Sequence, residues 1–146
     1  MQLITYPDTG ERESTRLRNA DIIRRFRRAV AATAPGEPIG RAELLRRVRK
    51  EPPGGYYVAY RHALARIEEL RARPRRAALR GKRDYWSELA AKVDTELASS
   101  PRLNLGEALA RVLAWGRPST DGLTDSYLWR IYLNHLNHHK RDAHHN

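Results

Sequence analysis

The sequence predicts an all-α protein made of two tandem three-helix units that arose by internal duplication. Apolar residues recur at helical spacing, runs of Pro and Gly separate the helical segments, and no segment alternates as a strand would. Seven residues also recur at a constant separation of 64 positions, beginning with Glu43 and its match Glu107. The recurring residues are Glu43, Leu45, Arg47, Val48, Leu64, Arg66 and Ile67 in the first copy, and Glu107, Leu109, Arg111, Val112, Leu128, Arg130 and Ile131 in the second. A fixed period of this kind is typical of a repeated supersecondary unit.

The first unit is predicted over residues 21–73, after a flexible arm at 1–20. Its first helix begins near Asn19 or Asp21, because either side chain can cap a helix. The residues predicted on its apolar face are Ile22, Ile23, Phe26, Ala29 and Val30, and those on the opposite face are Arg24, Arg25, Arg27 and Arg28. Pro35 and Pro38 end this helix, since proline cannot continue the hydrogen-bond ladder.

Two further helices complete the first unit. The second is predicted from about Arg41 to Lys50, and the third starts near Ala59 and ends before Pro74. Residues 74–83 are rich in arginine and poor in apolar residues, so they are predicted to be a basic connector between the units.

The second unit is predicted over residues 84–139. Its first helix starts at Asp84 and is broken by Pro101, its second spans 105–115, and Thr124 can cap its last helix. The tail at 140–146 is predicted to be disordered.

The stretch Pro52-Pro53-Gly54-Gly55-Tyr56-Tyr57-Val58, followed by the helix at 63–67, resembles a set of uncharacterised short basic helical proteins of Bacteroidetes genomes and mobile elements. Those proteins carry a proline-rich break, an aromatic pair and then a helix. The resemblance covers residues 44–71 and, more weakly, 109–135. Gly54-Gly55 replaces the usual small-proline pattern, and Thr120-Asp121 replaces the aromatic pair in the second copy. The resemblance implies a helical fold and assigns no functional site.

Basic residues dominate the charge of the chain. Lys and Arg number 28 against 17 Asp and Glu, which gives a net charge of +11. Residues 1–80 hold 19 of the basic and 9 of the acidic residues, so the first half is strongly cationic and the second half is nearly neutral. A balance of this kind favours a polyanionic partner.

The leading interpretation is a small nucleic-acid-binding protein, regulatory and helix-turn-helix-like if the third helix of a unit is the recognition element. Its partner would be DNA or RNA. The candidate contacts are Arg24, Arg25, Arg27, Arg28, Arg46, Arg49, Tyr60, Arg61, Arg75 and Arg76. One feature argues against a helix-turn-helix, because residues 51–58 are longer than its usual turn of about 3–4 residues. A solvated arginine face is the competing explanation of the charge.

The alternative is a protein-interaction module, such as an inhibitor or adaptor that binds an acidic protein surface. Trp86, Trp115 and Trp129 would anchor that interface, although such side chains more often fill a core.

The chain has no catalytic motif, so the sequence predicts neither an enzyme nor a cofactor. His135, His138 and His139 have the spacing of metal ligands, but the chain lacks cysteine and no metal site is predicted. The absence of cysteine, of a signal peptide and of a long apolar run predicts a soluble cytoplasmic protein without a membrane partner.

Overall fold

The described part of the chain is helical. In the computed structural model, the backbone is described for residues 11–77 and 82–144, and the side chains for residues 12–75 and 82–138. The helices are α1 (Glu11–Ala31), α2 (Arg41–Lys50), α3 (Tyr60–Ala72), α4 (Pro74–Ala77), α5 (Arg83–Ser99), α6 (Leu105–Trp115) and α7 (Asp125–His144). These ranges contain no strand, which confirms the all-α prediction. No described helix is long and apolar enough to cross a membrane.

Most helix ends agree with the predictions, but the two outermost ones do not. The bounds of α2, α3 and α6 match the predicted segments, and the Tyr127 backbone N–H donates to Thr124 Oγ1 at 3.2 Å, which is the expected cap of α7. However, α1 begins at Glu11, so the prediction of a flexible arm over residues 1–20 is wrong for residues 11–20. Residues 1–10 lie outside the described residues. The helix α7 continues to His144, where the sequence predicts a disordered tail.

The chain divides into two compact units that differ from the predicted tandem units. The inner unit contains Met1–Arg16 and Pro52–Gly122, and the outer unit contains Leu17–Glu51 and Leu123–Asn146. The inner unit therefore groups α3 with α5 and α6, whereas the outer unit groups most of α1 and α2 with α7. Each compact unit thus takes its third helix from the other predicted copy.

The core of the inner unit is formed where α3 packs against α5 and α6. Ile67 of α3 and Leu89 of α5 are almost completely buried there, and Leu109 of α6 packs in the same cluster. Tyr56, from the loop before α3, is also buried, with its ring centroid 5.7 Å from that of Tyr85. Burial raises the pKa of Tyr56. The α2–α3 loop is therefore anchored in this core by one of its two tyrosines.

The core of the outer unit is formed by α1, α2 and α7. Phe26 of α1 is fully buried and stacks on Tyr132 of α7, with ring centroids 4.4 Å apart. Leu128 of α7 is equally buried in the same cluster, whereas Ile131 only packs against its edge. The predicted equivalence of Ile67 and Ile131 as core residues is therefore wrong. The fully buried Ala63 of α3 and Leu128 of α7 are 65 positions apart rather than 64, so the inward face of α7 is displaced by one residue.

Candidate nucleic-acid interface

The four arginines of α1 divide into one buried and three exposed side chains. Ile22, Arg25, Phe26 and Ala29 follow the spacing of one helix face, and all four are buried. The Arg25 side chain is 3 % exposed, lies 3.3 Å from Asp21 Oδ2 through its Nε, and donates to the Glu51 carbonyl at 3.2 Å. The prediction that Arg25 faces solvent is therefore wrong, because its spacing places it on the inward face.

The other three arginines of α1 are open to solvent. The side chain of Arg24 is 54 % exposed and donates to Asp21 Oδ1 at 2.8 Å. That of Arg28 is 62 % exposed and pairs with the Glu51 carboxylate at the end of α2. Arg27 is exposed between them. Asp21 and Glu51 therefore lie beneath an exterior row of guanidinium groups.

The helix α2 adds basic side chains to the same compact unit. Arg46 and Lys50 are exposed and, being four residues apart, lie on one face of α2. Glu43 forms ion pairs with Arg46 and Arg47. The hydrogen bond from Arg46 is the main reason that the pKa of Glu43 lies below its ordinary value, so this carboxylate stays ionised at neutral pH.

The Arg49 side chain forms hydrogen bonds that stabilise the fold of the outer unit. Its Nε donates to Asp125 Oδ1 at 2.7 Å, and its NH2 group donates to the Leu123 carbonyl at 2.8 Å. These contacts tie the end of α2 to the start of α7 within the outer unit. Arg49 is thus a less suitable phosphate ligand than the arginines on α1.

We define the basic surface of the outer unit as five of its exposed cations on α1 and α2. They are Arg24, Arg27, Arg28, Arg46 and Lys50. The outer unit as a whole contains 13 Lys and Arg against 6 Asp and Glu, compared with 15 against 11 in the inner unit. The net charges are therefore +7 and +4, so the cationic excess per residue is larger in the outer unit.

The remaining candidates lie in the inner unit. Tyr60 packs against the inner core, and its hydroxyl oxygen lies 2.5 Å from where a Cβ at position 106 would stand. Arg61 on α3 and Arg75 on α4 are exposed, while the side chain of Arg76 lies outside the described residues. Nine residues separate α2 from α3, so this pair lacks the short turn that defines a helix-turn-helix.

Trp115 is absent from the predicted nucleic-acid contacts, although the alternative interpretation names it as an anchor of a protein interface. It is the last residue of α6 and is 87 % exposed. It lines a groove of about 700 Å³ together with Lys92, Thr95, Glu96, Arg111, Val112 and Gly116. Helical spacing could have indicated its exposure, because Trp115 follows the exposed Arg111 by one turn of α6.

A second groove lies between α1 and α7 in the outer unit. Its volume is about 420 Å³, and its polar lining residues are Asn19, Tyr127, Arg130, Asn134, His135 and His138. Among the described residues, no three His, Cys, Asp or Glu side chains are grouped so that they could hold a metal ion. The side chain of His139 lies outside them.

No protein-family model, curated protein or solved structure matches this chain. The chemistry of the site is therefore interpreted from its own residues.

Proposed function

We propose that this protein binds nucleic acid by placing the basic surface of its outer unit against phosphate groups. The observation that carries the proposal is the exposure of Arg24, Arg27 and Arg28 within one turn and a half of α1. Guanidinium groups match phosphate geometry through paired N–H donors. Binding of these arginines to phosphates would also release condensed counterions, which is the main source of affinity for nucleic acids.

The ion pairs on this surface do not oppose the proposal. Arg24 and Arg28 are more than half exposed, and pairs of this kind contribute about 0–1 kcal/mol to stability. A phosphate can therefore share or replace the carboxylate partner at small cost. Until then, Asp21 and Glu51 restrict the two side chains and reduce the entropy lost on binding.

The proposed activity is binding without catalysis, with DNA and RNA both as candidate partners. A regulatory role would follow from occupation of a nucleic-acid site, and the proposal assigns no catalytic residue or cofactor. Because the linker between α2 and α3 is long and Tyr60 is packed, the basic surface replaces the helix-turn-helix interpretation.

The second candidate is a protein-interaction module, for which Trp115 is the supporting residue. Trp86 is 4 % exposed in the inner core, and Trp129 packs against the outer core with its ring centroid 6.3 Å from that of Phe26. Trp86 therefore fills the inner core, and Trp129 is partly buried against the outer core, so both contribute to packing. The exposed Trp115 alone favours this alternative.

We further propose that the chain is an internal duplication in which the third helices are exchanged between the copies. The helices α2 and α6 begin at Arg41 and Leu105, again 64 positions apart. Leu45 and Val48 of α2 are buried, as are their matches Leu109 and Val112 of α6. The exchange accounts for units that each combine two helices of one copy with the third helix of the other.

The proposal of nucleic-acid binding is tested with two matched triple variants. Arg24, Arg27 and Arg28 are replaced by Gln in the first variant, and Arg83, Arg102 and Arg130 in the control. All six residues are exposed, so both variants lose the same charge without altering a core. Fluorescence anisotropy with labelled duplex and single-stranded DNA and RNA measures affinity. The first variant should bind more weakly than the control; equal losses would indicate diffuse attraction without a site.

A further inference from the structure

We infer that the groove beside Trp115 binds an unpaired nucleotide, with the base stacked on the indole ring and its phosphate held by Arg111. This inference rests on the proposed nucleic-acid binding and specifies a single-stranded ligand for a second surface. Trp115 and Arg111 are one helical turn apart on α6, so both project from one face. An aromatic platform beside a cation is the arrangement that binds single strands without base preference.

The exposure of Trp115 is unusual for its residue type. Tryptophan is on average highly buried, because its large ring gains from removal from water. Trp115 is nevertheless 87 % exposed, which leaves the ring open to a flat ligand. Its position at the end of α6, immediately before Gly116, keeps neighbouring side chains from covering it. A Cβ at Gly116 would stand 2.6 Å from the Val112 carbonyl oxygen, so only glycine lets the chain turn away so closely at this point.

The cations of the groove favour an anionic ligand. The Arg111 side chain is 46 % exposed, and its guanidinium makes a loose ion pair with Glu96 at 3.9 Å. Lys92 donates to the Arg117 carbonyl and lies 3.2 Å from Glu88, so it supplies fixed positive charge. The lining residues thus contain two cations and one carboxylate. Arg111 is the guanidinium that can turn toward a phosphate at least cost.

The surroundings of Trp115 favour a nucleotide over a protein partner. Among the described residues of the inner unit, Trp115 is the one large hydrophobic side chain that is exposed. A protein interface needs a broader apolar centre around such an anchor. Stacking needs only the face of the ring and a nearby cation. The groove volume of about 700 Å³ is within the usual range for small-ligand sites, about 300–1,000 Å³.

The inference is tested with Trp115→Leu and Trp115→Phe in the full chain. Leucine keeps an exposed apolar side chain but has no aromatic face, whereas phenylalanine keeps part of the stacking surface. Arg111→Gln removes the guanidinium that is proposed to bind the phosphate. Arg102→Gln is the control, because it removes an exposed arginine elsewhere in the same unit. The probes are labelled oligothymidylate and oligouridylate, an abasic strand of equal length, and a blunt duplex. Circular dichroism and thermal melting check that each variant is folded.

The expected result is a loss that depends on the base. Trp115→Leu should weaken binding of oligothymidylate about 10- to 100-fold, the range for loss of stacking with one base, and Trp115→Phe should weaken it less. Neither change should affect the abasic strand or the duplex. Arg111→Gln should weaken binding of both single strands, base-bearing and abasic, and Arg102→Gln neither.

Three outcomes would overturn the inference. Unchanged oligonucleotide affinity in Trp115→Leu, together with weaker binding by the triple variant of α1, would refute the groove and leave the basic surface in place. An equal loss for the abasic strand would show that stacking does not contribute. If the wild-type chain binds none of these nucleic acids at low salt, both the groove and the proposed function fail; binding of labelled polyglutamate that Trp115→Leu abolishes would then favour the acidic-protein alternative.

Discussion

Arg25 illustrates how spacing decides the role of a residue that composition assigns to a surface. Four arginines occur within five positions of α1, and their shared charge suggested a shared face. The interval from Ile22 to Arg25 and Phe26 is that of one helix face, so Arg25 enters the core. There it forms an ion pair with Asp21 and donates a hydrogen bond to the Glu51 carbonyl, which offset part of the cost of burying the charge. The periodicity of this helix face can be read from the sequence, whereas the pairing of Asp21 with a buried Arg25 cannot.

The first prediction is that Arg25→Ala destabilises the outer unit strongly. Removal of the Arg25 guanidinium leaves the Glu51 carbonyl without this donor and leaves Asp21 with Arg24 as a remaining partner, so the cost should approach but not exceed about 3–5 kcal/mol, the range for breaking a buried ion pair. Arg27→Ala is the control, since an exposed substitution changes stability by about 0.5 kcal/mol or less. Urea unfolding followed by circular dichroism measures the stability of the two variants. Equal midpoints for the two variants would mean that the Arg25 pair does not stabilise the unit.

The second prediction separates Leu128 from Ile131 on α7. Leu128 is 0 % exposed, so Leu128→Ala should cost about 2–5 kcal/mol of unfolding free energy. Ile131 is only partly buried, so Ile131→Ala should cost clearly less. Chemical denaturation of the two variants measures the difference. A larger cost for Ile131→Ala would mean that Ile131 is the core residue of α7, as its constant offset of 64 from Ile67 predicts.

At the scale of elements, the start of α6 has a side-chain cap and the start of α2 has none. Asn104 accepts from the Glu107 backbone N–H at 2.8 Å, and the Glu107 side chain accepts in return from the Asn104 N–H, which forms a capping box. The matching position before α2 is Gly40, which has no side chain to form that bond. The starts of both helices can nevertheless be predicted from the sequence, because a break that contains proline or asparagine precedes each periodic apolar run. The early start of α1 was not, since residues 11–20 are polar and lack a clear apolar stripe.

The third prediction is that Gly40→Asn stabilises α2. The backbone at Gly40 is extended, with φ −74° and ψ 158°, and a Cβ there would meet nothing within 4 Å. Asparagine can then cap the helix as Asn104 does, with a gain of about 0.3–1 kcal/mol. Gly40→Ala is the matched control, because it restricts the unfolded chain equally but offers no acceptor. Thermal unfolding should rank asparagine above alanine, and the reverse order would exclude capping at this position.

For the whole molecule, the arrangement of helices changes the meaning of the charge distribution. Division of the sequence at residue 80 places nearly all of the excess charge in the first half. The compact units divide the same charge as +7 and +4, because α3 and the basic segment after it belong to the inner unit. Helix content and most helix bounds followed from local patterns. The grouping of α7 with α1 and α2 depends on long-range packing, such as that of Phe26 on Tyr132, which no local pattern specifies.

The fourth prediction concerns the independence of the two halves. Fragments 1–80 and 81–146 should each fail to fold, since each compact unit requires helices from both fragments. An equimolar mixture should regain helicity and a cooperative thermal transition. Circular dichroism of the separate and mixed fragments measures this directly. A cooperative transition in either fragment alone would support tandem units instead of exchanged third helices.

The salt dependence of nucleic-acid affinity tests the central claim most directly. If Arg24, Arg27 and Arg28 each contact a phosphate, their joint replacement by Gln should reduce the slope of log affinity against log salt by about 0.7–0.9 per residue. The control triple Arg83, Arg102 and Arg130 should leave the slope close to that of the wild type. Anisotropy titrations at a series of salt concentrations give all three slopes. Identical slopes for the two triples, or no binding by the wild type at low salt, would contradict the account.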